Sequence, residues 1–93
     1  MIRMVQLGID HPHAAAYRGT LWSLRDRIEV VGFLAREGAT TTPTEPFADV
    51  PVYHSLDDLL NATRPDAAQV MLRNNEMGPA LTRLADEGIH LWV

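Results

Sequence analysis

Apolar and polar positions along this chain fall into two rhythms, and the changes between them mark the elements. Ile2 to Leu7 is apolar except at Arg3 and Gln6. Such a short run suits a strand covered on both faces. It meets Gly8 and a turn, Ile9-Asp10-His11-Pro12-His13. Ala14, Tyr17, Leu21 and Leu24 then recur at helical spacing, with Arg18 and Arg25 off the stripe. Pro12 suits the opening turn of that helix, where its missing N–H is no loss. Gly19 weakens the helix and points to close packing on a sheet. Asp26-Arg27 ends it.

Ile28 to Leu34 is rich in β-branched residues and predicts a second strand. Arg36 to Pro51 holds Gly38, four threonines and prolines at 43, 46 and 51. Prolines at this density forbid a regular helix, so this stretch reads as an irregular connection. Val52-Tyr53 is a short third strand. Ser55-Leu56-Asp57-Asp58 resembles a capping box, with Ser55 as cap and both Asp residues at the positive helix end. Leu56, Leu59 and Leu60 face inward, and Asn61 to Pro65 closes the helix. Ala67 to Leu72 predicts a fourth strand. Asn74 to Glu87 predicts a third helix, with Met77, Ala80, Leu81 and Leu84 on one face and Gly88 as its C-terminal cap. Ile89 to Val93 is a fifth strand. The order β-α-β-loop-β-α-β-α-β predicts an α/β fold with one parallel sheet, strand order 3-2-1-4-5 and three helices. A sheet that stops on an apolar strand suggests the front part of a larger protein.

Composition narrows the function classes. The 93 residues allow one small domain, and the 46% hydrophobic content argues against disorder. The net charge of −4 argues against a nucleic-acid partner. All eight basic residues are Arg, and they are scattered. The absence of cysteine excludes disulfides and thiolate metal sites. No apolar stretch approaches the roughly 20 residues of a membrane span. The start carries neither a long apolar region nor a small-residue cleavage site, which makes a cytoplasmic location the expectation.

The chemistry concentrates in the first turn. A buried strand feeding a glycine turn and then a helix N-terminus is how α/β proteins build a nucleotide phosphate site. Gly8 and the backbone N–H groups from Ile9 through Asp10, His11 and His13 to Ala14 are the candidate pyrophosphate contacts. His11 and His13 either add donors beside a phosphate, or cap the helix and sit exposed. Arg36 follows the second strand, where a dinucleotide site keeps an acid for NAD or an Arg for NADP. Glu37 falls one place late, so Arg36 tilts the reading towards NADP, against the alternative of a solvated loop Arg. Asn74 is a candidate contact near the nicotinamide ribose or a helix N-cap. Arg73 beside it either binds an anion or lies in solvent. Trp22 and Trp92 read as packing residues.

Four segments carry a resemblance over the whole chain. Met1-Ile-Arg-Met-Val-Gln-Leu-Gly8 with Asp10-His11-Pro12-His13-Ala14 looks like the first strand and phosphate loop of the NAD(P)-binding domain of the Gfo/Idh/MocA oxidoreductase family. Val52-Tyr53 with Leu56-Asp57-Asp58-Leu59-Leu60 is similar to its "VYxSLDELL" segment. Pro65-Asp66-Ala67 resembles its "PDAV". Gly88-Ile89-His90-Leu91-Trp92-Val93 resembles "GKHVLVEKP" cut before Glu-Lys-Pro. The resemblance implies residues 1–93 are the N-terminal part of a Rossmann-like dinucleotide-binding domain, incomplete as it stands. It further implies a dehydrogenase of a sugar, polyol or related small molecule, with the substrate pocket in a C-terminal domain and no catalytic residue in this chain. Two departures stand out. In the family pattern G-x-G-x-x-G/A, Gly8 matches the first glycine, Asp10 replaces the second and His13 falls at the third. A carboxylate at Asp10 would repel a pyrophosphate, unless it caps the helix and turns away. Of the Thr-Pro-Asn and following His that end the family's fourth strand, only Asn74 is kept, with Met77 at the His position.

Two rival readings remain. His11-Pro12-His13 resembles the first ligand pair of amidohydrolase-type metal hydrolases, with His54 and His90 also near strand ends. Such a barrel needs about 250 residues. A non-catalytic nucleotide-binding module is the other. Its open fifth strand would call for a partner, such as a second copy, along the exposed edge.

Overall fold

The computed structural model describes Met1 to Trp92, with Asn74 through its backbone alone. In chain order the elements are β1 (Ile2–Leu7), α1 (Ala14–Ser23), β2 (Ile28–Leu34), β3 (Val52–Tyr53), α2 (Leu56–Thr63), β4 (Ala67–Val70), α3 (Asn74–Asp86) and β5 (His90–Trp92). The strands pair in parallel in the order β3-β2-β1-β4-β5. This is the expected α/β, Rossmann-like plan. Val93, expected to extend the last strand, lies outside the described residues. No helix among the described residues is long and apolar enough to cross a membrane.

β1 runs through the centre of the sheet, and its side chains alternate between two cores. Val5 and Leu7 join Leu59, Leu60, Val70, Leu84 and Ile89 under α2 and α3. Met4 joins Ile9, Leu21, Phe33, Ala35 and Phe47 on the α1 side. Burial on both faces is why Ile2–Leu7 reads as a nearly unbroken apolar run.

Where α2 and α3 end, the local signals are obeyed. The Ser55 side chain accepts the Asp58 N–H at 3.4 Å and caps α2. α3 ends in a Schellman motif at Gly88, whose φ is +73°. The Gly88 N–H donates to the Ala85 carbonyl and the Ile89 N–H to the Leu84 carbonyl, each at 3.0 Å.

Other expectations need correction. The fourth strand stops at Val70 rather than Leu72; the Met71 N–H makes a last bond to the Leu7 carbonyl at 2.9 Å, and Met71 and Leu72 line a cleft. The first helix stops at Ser23, and Leu24 to Arg27 continue as tight turns closed by the Leu24, Arg25 and Arg27 N–H groups. The inward stripe of α1 is Ala14, Arg18 and Leu21 rather than Ala14, Tyr17, Leu21 and Leu24. Tyr17 and Leu24 are each more than a third exposed. The reason is a buried polar pair beneath the helix. Gln6 Nε2 donates to Gln69 Oε1 at 2.9 Å and to the Ala14 carbonyl at 3.2 Å. Arg18 Nη1 closes the set by donating to Gln6 Oε1 at 3.2 Å, its guanidinium 5.9 Å from the Phe33 ring centre. Gly19 does not pack on the sheet: a Cβ there would meet nothing within 4 Å. The connection after β2 is irregular, as its prolines require, yet it inserts Phe47 into the core edge-on to Phe33 and Trp22.

Candidate functional site

The chain leaves β1 towards β2 and β3, then crosses back to β4 and β5 on the other side. Open α/β sheets bind ligands at the carboxyl ends of the strands where the order reverses in this way. Here that place lies between β1 and β4, and a cleft of about 680 Å³ opens there. Gly8, Met71, Leu72 and Arg73 all line it.

Gly8 is required at its position twice over. Its φ of +96° is one that L side chains rarely adopt. A Cβ there would also stand 2.0 Å from the Met71 carbonyl oxygen. The end of β1 therefore passes the end of β4 backbone to backbone, with no side chain between. The Gly8 and Ile9 N–H groups both donate to the Leu34 carbonyl, at 2.9 and 3.0 Å. The His11 N–H returns to the Gly8 carbonyl and the Ala14 N–H to the His11 carbonyl. Among the described residues the N–H groups of Asp10, Ala15 and Ala16 meet no acceptor. These are the donors left at the start of α1, where the helix dipole is positive.

Asp10 does not cap α1. Oδ2 lies 3.2 Å from Arg36 Nε, and Oδ1 accepts the Arg36 N–H at 3.4 Å. The N-cap is His13, which makes no side-chain cap bond. His11 Nδ1 accepts the His13 N–H at 3.2 Å, and the two rings sit 5.5 Å apart. His54, just beyond β3, places Nδ1 3.1 Å from the Arg36 carbonyl, so with the proton on Nδ1 it donates there. No group of three or more metal-ligating side chains comes together among the described residues.

No family model matches the chain, and no curated protein matches it in sequence. Among solved structures it is similar to dihydrodipicolinate reductase from Paenisporosarcina sp. TG-14, determined with dipicolinate bound. The TM-score is 0.81 at 16% identity, over 98% of this chain. The chain spans 36% of that reductase's length. At this identity the likeness establishes the fold.

Of the residues singled out from the sequence, Gly8, Asp10, His11, Arg36 and Arg73 line this cleft. Ile9 is placed in the core, 2% exposed, with its N–H engaged. His13 is exposed at the helix start. Asn74 is the first residue of α3, with Arg73 as the N-cap before it. The Asn74 side chain, the basis of its expected ribose contact, lies outside the described residues. Trp92 stacks edge-on to Tyr17, and Trp22 edge-on to Phe47, so both serve packing. Sequence reasoning passed over Glu37, Met71 and Leu72 as site residues, and valued His54 only as a metal ligand. Its position one residue after β3 was the available signal, since strand ends converge on the cleft.

Arg83 closes the far side of the cleft from α3, paired with Asp57 of α2 and with Glu87. The hydrogen bond to Asp57 first, and that to Glu87 next, raise its pKa above the ordinary guanidinium value. Arg18 shifts the other way because burial disfavours its charge.

Proposed function

We propose that this chain is the dinucleotide-binding part of a cytoplasmic NAD(P)-dependent oxidoreductase, built on the plan of the Gfo/Idh/MocA enzymes. The observation that carries the reading is the glycine turn at the strand ends, followed by a helix start whose Asp10, Ala15 and Ala16 N–H groups meet no acceptor among the described residues. Gly8 combines a positive φ with a backbone approach that no side chain permits, at the point where the sheet order reverses. The residues present fit a dinucleotide. The free N–H groups of Asp10, Ala15 and Ala16 are suited to a pyrophosphate, supplemented by His11. Arg36 stands where the adenosine ribose would lie, and Arg73 and Asn74 stand towards the nicotinamide end. Bound NAD(P) supplies the hydride chemistry, while this chain's groups bind and orient it. The substrate, a sugar, polyol or related small molecule, would meet the nicotinamide through a C-terminal domain. The 93 residues alone then bind the cofactor without turning over substrate.

The test is titration of the full-length protein with NADH and NADPH, followed by nicotinamide fluorescence. Micromolar binding of at least one is expected, with Gly8→Val weakening it by tenfold or more (about 1.4 kcal/mol). Unchanged affinity in that variant removes the phosphate-loop assignment. Binding with no hydride transfer to any sugar or polyol would favour the non-catalytic module.

A further inference from the structure

Dinucleotide sites of this plan usually keep an acid after the second strand to hold the ribose 2′-hydroxyl, or an Arg nearby to hold a 2′-phosphate. After β2 this chain has Ala35 and Arg36, and no acid in that place. The structure brings one in from elsewhere. Asp10, from the turn after β1, meets Arg36 at the end of the neighbouring strand and contacts both its guanidinium and its backbone N–H. The Asp10 carboxylate is 18% exposed and the Arg36 side chain 44%, so both remain open to a ligand in the cleft. His54 holds the Arg36 carbonyl from the β3 side, which fixes the backbone that carries the guanidinium.

From this geometry, and resting on the dinucleotide reading above, we infer that Asp10 is the cofactor-selecting residue and sets a preference for NADH over NADPH. A ribose 2′-hydroxyl can donate to Asp10 while Arg36 stays paired. A 2′-phosphate, carrying close to two negative charges, must displace Asp10 from Arg36 and then sit beside a free carboxylate. Glu37, also lining the cleft, adds to that repulsion. Arg36 alone would favour NADPH; with Asp10 on it, its charge is already committed. The two residues thus form a selector in which the acid comes from the phosphate turn rather than from the second strand.

The test is calorimetric titration of the full-length protein with NADH and with NADPH, in wild type, Asp10→Asn and Arg36→Gln. The wild type should bind NADH more tightly. Asp10→Asn should raise the NADPH-to-NADH affinity ratio about tenfold or more, since even a water-screened charge removed from beside a phosphate is worth about 1 kcal/mol per unit charge. Arg36→Gln should lower it. A merely structural role for Asp10 would weaken both cofactors together and leave the ratio alone. A wild-type preference for NADPH, or a ratio that Asp10→Asn leaves within twofold, overturns the inference. If Asp10→Asn does not fold, a ratio that Arg36→Gln fails to lower overturns it equally. Wild type binding neither cofactor removes the dinucleotide reading itself, and this inference with it.

Discussion

Gly8 and Gln6 sit two residues apart on one strand and were unequally readable. Gly8 stood out because a glycine directly after an apolar strand is a positional signal. The 2.0 Å approach to the Met71 carbonyl that makes it indispensable is a tertiary fact about a residue 63 positions on. Gln6 stood out only as an interruption of the apolar run. It is fully buried, and its partner Gln69 is 63 residues away on the neighbouring strand. No periodicity announces such a pair, and it overrode the helical stripe by drawing Arg18 inward in place of Tyr17. The set is fully satisfied, and among the described residues no buried side-chain nitrogen or oxygen lacks a partner. Removing one member should therefore be costly. Gln69→Leu leaves part of the Gln6 amide without its acceptor and should destabilise the protein by about 1–3 kcal/mol. Chemical denaturation measures this, and a loss below about 0.5 kcal/mol would mean that the pair contributes little.

At the scale of elements, the helix ends were legible and the first helix was not. Ser55, Asp57 and Asp58 mark the start of α2 locally, and Gly88 marks the end of α3, because caps are short-range chemistry. α1 has no such markers. It starts at His13 without a side-chain cap and carries no acidic residue in its first turn, so its position depends on packing against β1 and β2. Its glycine is an opportunity for stabilisation. Gly19 is exposed within the helix, and a methyl group there meets open space. Gly19→Ala should stabilise the protein by about 0.5–1 kcal/mol, by lowering the entropy of the unfolded chain. A thermal melt should show the rise, and an unchanged or lower Tm would mean that the helix tolerates no Cβ there. Phe47 was hidden for the opposite reason. Prolines correctly forecast an irregular connection, and irregular segments are seldom expected to fill a core.

For the whole molecule, topology followed from element order alone. Alternating strands and helices leave few arrangements, and the parallel 3-2-1-4-5 sheet is the one formed. That order also located the cleft, since a reversal in strand order opens a crevice at the strand ends. What the cleft contains was less accessible. The Asp10–Arg36 pair joins residues 26 positions apart, whereas the sequence sets Asp10 only against a pyrophosphate and the helix it precedes. The fold likeness to a reductase over 98% of this chain agrees with the topology and leaves the choice of ligand to experiment.

On the proposed function, the turn after β1 and the end of β4 together hold a dinucleotide. Hydrogen exchange of the full-length protein, read by mass spectrometry with and without saturating NADH, tests it most directly. Slower exchange is expected in peptides covering residues 8–16 and 71–74, with a smaller effect around Arg36. Protection absent from residues 8–16, or confined to surfaces away from the strand ends, would contradict it.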